Sequence, residues 1–107
     1  MDSTENKKLL LEAIDNYDLL TPVTKTILKT FVDIAVDNVV IISVLKLSQL
    51  AGVSRPGTYA ALKALEEQGI IERMPVSGKK LTSFFLKTGK LKGIIKFYTP
   101  RKNLLHK

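Results

Sequence analysis

The stretch from Ser43 to Gly69, SVLKLSQLAGVSRPGTYAALKALEEQG, constrains the rest of the chain most strongly. Ser43 is placed as an N-cap, and Leu47, Leu50 and Ala51 recur as the inner face of a two-turn helix. Position 46 is Lys rather than Glu or Gln, so the cap lacks the reciprocal partner of a capping box. Gly52 ends this helix, because the chain must turn through a positive φ that side chains resist. Ser48, four residues earlier, is small enough for a second helix to cross closely. That second helix starts at Ser54 or Arg55, since Pro56 suits a first turn but disfavours helical geometry in the residue before it. A Ser54 cap can reach only the N–H of Gly57, because Pro56 has none. Thr58, Ala61, Leu62 and Leu65 fall at helical offsets and face inward. Arg55, Pro56, Tyr59, Ala60 and Lys63 are left on the opposite side, and Glu66 and Glu67 come only near the stop at Gln68–Gly69.

The flanking segments supply surfaces against which those two helices can pack. Residues 1–7 read as disordered, followed by a helix from Lys8 with Leu10, Ile14 and Tyr17 in its stripe, ending near Asp15 to Tyr17. A further helix starts at Thr21–Pro22, with Thr21 as cap and Val23, Ile27, Phe31 and Ile34 as core stripe. Asp37–Asn38 makes a turn, and Val39 to Ile42 is a β-branched run that suits a buried strand. After Gly69, residues 70–86 read as a β-hairpin turning around Ser77–Gly78, with Lys79 and Lys80 at its tip. Thr88 to Tyr98 is a short amphipathic helix, ended by Pro100 and followed by a frayed tail.

Charge divides the chain. Residues 1–45 hold four Lys and seven Asp or Glu, a net −3, whereas residues 46–107 hold thirteen Lys or Arg and three Glu, a net +10. A basic half behind a mildly acidic one suits a polyanion-binding face backed by a self-associating one. There is no cysteine, which excludes disulfides and thiolate metal sites. The polar, acidic start MDSTENKK does not read as a signal peptide, and the longest apolar run, VVII, is far short of the ~20 residues of a membrane helix. A soluble cytoplasmic protein is expected.

Residues 43–86 resemble the winged helix-turn-helix superfamily of bacterial regulators and plasmid or phage replication proteins. The residues that carry the resemblance are LSQLAGVSR at 47–55, then Ala61, Leu62 and Leu65, then EEQGII at 66–71. The LAGVSR segment also looks like the helix-turn-helix of the lac-repressor type. With the preceding helix and the VVII strand, the winged order covers about residues 22–86. The resemblance implies a mainly α fold with a small β-hairpin, in the order α-α-β-α-α-β-β-α. It implies three parts: an N-terminal helix at 1–20 serving as a dimerisation element, the winged domain at 21–87, and a basic amphipathic helix and tail at 88–107, whose helix would join the first in the dimer.

The function implied is sequence-specific binding of double-stranded DNA by a homodimer, as a transcriptional regulator or a replication or partition protein of a mobile element. A recognition helix at about 54–68 would enter the major groove, and a wing at about 75–81 would lie on the backbone or minor groove. Arg55 would read a base edge, most suitably guanine; Lys46 and Lys63 would hold phosphates; Tyr59 would touch phosphate or a thymine methyl. Ser54, Gly57, Lys79 and Lys80 complete the expected contact set. Two positions depart from the family pattern: Thr58 stands where Val or Ile is usual, and Gly57 where a polar side chain usually faces DNA. Thr58 should bond a backbone carbonyl one turn back, and Gly57 could offer only its backbone.

Enzymatic chemistry finds little footing. The single histidine, His106, lies in the tail, so a Ser–His–Asp or His-metal site lacks its central residue. KTGK at 87–90 lacks the upstream glycine of a phosphate-binding loop, and Asp33 and Asp37 have no third ligand nearby. No enzyme activity, cofactor, metal, membrane partner or small-molecule effector is expected. Two other readings stay open: a winged protein-interaction module, favoured by Gly57, Ala60 and Ala64, and an RNA-binding protein, which the basic half allows equally.

Overall fold

The computed structural model describes residues 3–75 and 81–105, with side chains over residues 6–74 and 81–98. The elements run α1 (Ser3–Asp15), α2 (Pro22–Ile34), β1 (Val39–Ile42), α3 (Val44–Ala51), α4 (Arg55–Glu67), β2 (Ile71–Pro75), β3 (Thr82–Leu86) and α5 (Thr88–Leu105).

α2 is the hub, packed against α1, α3 and α4. Thr21 caps it, its Oγ1 accepting from the Thr24 N–H at 3.3 Å, and Pro22 fills the first turn where no N–H is needed. Ile27, Leu28 and Phe31 are fully buried. Val23 and Ile34, expected in the same stripe, are partly exposed because they sit at the two helix ends, beyond the elements packed on its middle.

Past α2 the chain reverses at Val36–Val39, where each backbone N–H donates to the other residue's carbonyl at 3.0 Å. Asp37 and Asn38 between them both have positive φ, as a two-residue hairpin with the right twist requires. β1 then pairs antiparallel with β3, and β3 with β2, giving the order β1-β3-β2. Val40, Phe84 and Arg73 lie opposite one another across the three strands. The expected fully buried strand is instead a half-buried edge: Val40 and Ile42 point inward, whereas Ile41 is 60% exposed. An edge strand of a sheet covered on one face buries alternate residues only. Phe31 of α2 meets Phe84 of β3 with ring centroids 5.1 Å apart, which joins sheet to helices at the centre of the core.

Both terminal helices are longer than their sequence patterns indicate. α1 begins at Ser3, not Lys8; Lys7 already bridges to Asp33 of α2 at 3.0 Å, and Leu10, Ala13 and Ile14 pack into the core. α5 continues through Pro100 to Leu105. A proline inside a helix removes one backbone bond and presses on the carbonyl four residues back, which bends a helix without necessarily ending it when good helix formers follow. α5 packs on α1 through Leu91 and Ile94, both buried.

Gly93, exposed in the middle of α5, offers a clean test of this helix, because a Cβ there meets nothing within 4 Å. Gly93→Ala should stabilise the fold by roughly 0.5–1 kcal/mol, seen as a melting temperature raised by a few degrees in thermal denaturation.

Candidate nucleic-acid interface

The junction of α3 and α4 is set by backbone chemistry. Gly52 adopts φ +68°, and the N–H of Val53 returns to the Ser48 carbonyl at 3.0 Å, closing the end of α3. Ser48 is buried where the helices meet, and its hydroxyl donates to the Leu45 carbonyl at 2.7 Å, so no polar atom is stranded. Ser54 then caps α4: its Oγ accepts from the Gly57 N–H at 3.1 Å. Its carbonyl accepts both the N–H and the hydroxyl of Thr58, at 2.8 and 2.9 Å. The expected bond of Thr58 one turn back is present, and it lets a fully buried threonine replace an aliphatic residue.

Burial on α4 follows the helical offsets. Thr58, Ala61, Leu62 and Leu65 are buried, and Arg55, Pro56, Ala60 and Lys63 are exposed, with Tyr59 51% exposed beside them. Arg55, Lys63 and, in the first turn of α3, Lys46 form no ion pair among the described residues. The three project from the same two-helix unit. Leu50, expected inside, is 51% exposed, and Leu45 is half-exposed as well. Eight residues of α3 give too narrow an inner face to take in more than Leu47 and Ser48 at full depth.

Gly57 sits differently from the expectation. A Cβ there would lie 3.0 Å from Ser54 Oγ, 3.1 Å from Val53 Cγ1 and 3.6 Å from Val23 Cγ1. The half-buried glycine leaves its Cβ position toward Val53, Ser54 and Val23, and its N–H is already held by the Ser54 cap. A larger side chain at this position would press on Ser54 and Val53 at the start of α4.

Arg73 on β2 stands outside the expected set of site residues. It donates from Nε and Nη2 to Glu66 Oε1 at 3.1 and 2.8 Å, and its guanidinium lies 5.6 Å over the Phe84 ring. This tie joins the hairpin to the end of α4. It depends on the turn at Gly69, φ +70°, and on the hairpin register, neither of which the spacing of seven residues reveals. The strands of the hairpin are paired through Met74↔Ser83 and Pro75↔Thr82; its expected tip residues Lys79 and Lys80 lie outside the described residues. Among the described residues no three His, Cys, Asp or Glu side chains cluster to hold a metal, and no helix is long and apolar enough to cross a membrane.

A helix pair joined at a positive-φ glycine, followed by an antiparallel hairpin and preceded by a strand that completes its sheet, defines the architecture. The fold is a winged helix-turn-helix. No protein-family model matches the sequence, and no curated relative matches it. Solved structures do resemble it at low identity. A possible transcriptional regulator from Methanosarcina mazei Go1 is 17% identical with a TM-score of 0.55, over 94% of this chain and 82% of that one. A cysteine-to-serine mutant of MarR from E. coli, complexed with operator DNA, is 19% identical with a TM-score of 0.53, over 87% of this chain and 62% of that one. RV1404 from Mycobacterium tuberculosis is 17% identical with a TM-score of 0.52, over 96% and 72% of the two chains. In this winged fold α4 is the second helix of the helix-turn-helix, and β2 and β3 form the stem of the wing.

Proposed function

We propose that this winged protein binds double-stranded DNA as a transcriptional regulator, with α4 in the major groove and the wing against the backbone. The observation that carries this reading is the outer face of α4. Its first three turns present Arg55, Tyr59 and Lys63 without a carboxylate, and the late Glu66 is drawn aside by Arg73. Arg55 has the fork to address two acceptors on a guanine edge, while Lys46 and Lys63 match phosphates. The Ser54 hydroxyl, while accepting from Gly57, keeps its proton to donate to a phosphate oxygen. The resemblance to a MarR structure solved on operator DNA supports DNA as the partner. One short recognition helix buries little surface, so two copies joined through α1 would supply the area that specific binding needs.

A titration of mixed duplex fragments at two salt concentrations tests the proposal. Arg55→Ala together with Lys63→Ala should weaken binding by about tenfold or more at low salt. The same pair should flatten the salt dependence by about 0.9 in log–log slope for each phosphate left without its cation. Absence of low-salt binding by the unmodified protein, or no response to the double substitution, would remove this reading. In that case the half-exposed Leu45 and Leu50 of α3 point to the other one, a winged module that binds a protein partner.

A further inference from the structure

The cations of this chain fall into two populations. Lys7, Lys29, Arg73 and Lys87 pair with Asp33, Asp15, Glu66 and Glu72 at 3.0, 2.6, 2.8 and 3.0 Å. Lys25 is also engaged, donating to the Asp15 carbonyl at 2.8 Å. Among the described residues the other cations, Lys8 apart, gather in two places. One is the outer surface of the helix-turn-helix, with Lys46, Arg55 and Lys63. The other is α5, with Lys90, Lys92 and Lys96, all exposed. From this second grouping we infer that the outer face of α5 is a second duplex-binding surface, so that the protein holds two DNA segments at once. The inference rests on the DNA reading given above.

Three features of α5 support it. The helix contains no Asp or Glu over its whole length, so its lysines have no intrahelical partner. Lys90 and Lys92 occupy the first two turns, where the positive end of the helix dipole disfavours cations, so helix stability does not explain them. Leu91 and Ile94 turn toward α1, which leaves Lys92 and Lys96, one turn apart, on the outer side beside Gly89 and Gly93, where no side chain projects, with Lys90 at the opposite edge of the exposed surface.

Charge balance also selects the occupant. A second copy of this chain would have to offer a row of unpaired carboxylates, yet Asp15, Asp33, Glu66 and Glu72 are engaged with this chain's own cations. Glu12 meets the Tyr98 hydroxyl, and Asp18, Asp37 and Glu67, the other carboxylates among the residues with described side chains, lie at three separate places along the chain and form no row. A duplex presents a continuous line of phosphates, and Lys92 and Lys96, four residues apart on one side of α5, match it, with Lys90 flanking them.

The position argues for a separate segment of DNA. α5 packs chiefly on α1, which packs on α2, and α2 in turn carries α4, so Lys92 and Lys96 lie on the side of α5 away from the recognition helix. Lys90 comes nearest: a Cβ at Gly69, just past the C-terminal end of α4, would lie 3.4 Å from its Cε. Arg55 stands at the opposite end of that helix, about 20 Å away at 1.5 Å per residue. A straight duplex seated on the first turns of α4 therefore leaves Lys92 and Lys96 open to another.

Capture of one duplex by another measures this directly. The whole protein is mixed at low salt with a biotinylated duplex on streptavidin and a second, fluorescent duplex, and binding of a single duplex is followed separately by anisotropy. The unmodified protein should retain the fluorescent duplex. The triple variant Lys90→Gln, Lys92→Gln, Lys96→Gln should lose about tenfold or more of that capture while its single-duplex affinity changes far less, because the cations removed all belong to α5 and none to the outer face of the helix-turn-helix. Its melting temperature should stay at the unmodified value, and the triple Lys→Arg variant should retain capture. Capture that survives the triple Gln substitution would assign bridging to two recognition helices of a dimer and overturn the inference. Single-duplex binding without any capture would also overturn it while leaving the DNA reading intact. No duplex binding at all would remove both.

Discussion

Phe31→Ala should remove about 3–5 kcal/mol from the stability of this protein, the range for truncating a buried aromatic side chain. The ring is fully buried on α2 and meets Phe84 of the central strand at 5.1 Å, so the substitution opens a cavity at the one place where helices and sheet share a wall. Both sides of that wall are regular structure whose backbone is committed to its own hydrogen bonds, which limits how far they can move in to refill the space. A domain of this size commonly has only about 5–15 kcal/mol in total, so the variant should be marginal at room temperature. Urea unfolding is the measurement: the midpoint should fall steeply with little change in slope. Phe31→Leu should recover most of the loss, since a compact apolar group refills the site. Ile34→Ala, one turn further along α2 and partly exposed, should cost far less. Equal losses at Phe31 and Ile34 would contradict the assigned core.

The second large effect is expected at Gly52, by a different mechanism. Its φ of +68° is left-handed, yet a Cβ built there touches nothing within 4 Å. Gly52→Val therefore tests backbone strain without steric crowding. The penalty should be about 2 kcal/mol, within the range for a side chain forced into that region and at its upper part for a β-branched residue. Gly52→Asn should restore most of it, because asparagine tolerates the left-handed conformation best after glycine. The strain can also be relieved by opening the turn, which swings α4 relative to α3. Under the proposed function Gly52→Val should then weaken duplex binding, although it deletes no side chain that faces DNA. Unfolding midpoints equal for Val and Asn would show that the turn does not need its positive φ.

Several sequence readings hold because they depend on local chemistry. Ser43, Thr21 and Ser54 each cap a helix as expected, since a cap needs only a hydroxyl three residues before a free N–H. Asp37–Asn38 turns because these residues accept positive φ, and Thr58 bonds its own preceding turn because the acceptor lies within reach on the same helix. The readings that fail depend on partners. Leu50 has the spacing of an inner residue but no element across from it, and Pro100 has the signature of a stop inside a helix that continues. Family position assigns Gly57 to the solvent side, and only the approach of Val23 and Val53 places it inward.

Within the helix-turn-helix stretch from Ser43 to Gly69, the chain alone determines the caps, the turn glycine and the inward row of Thr58, Ala61, Leu62 and Leu65, though not the exposure of Leu50. Those features are encoded within four or five residues of each other, where backbone hydrogen bonding and helical period decide the outcome. What surrounds the stretch is decided by tertiary structure. The pairing of β1 with β3, the Arg73–Glu66 tie and the seating of α5 on α1 all join residues brought together only by packing. A charge or an apolar residue takes its role from what stands opposite it. For that reason α4 can be read as a candidate interface from sequence, whereas the unpaired lysines of α5 acquire meaning only once the paired ones have been set aside.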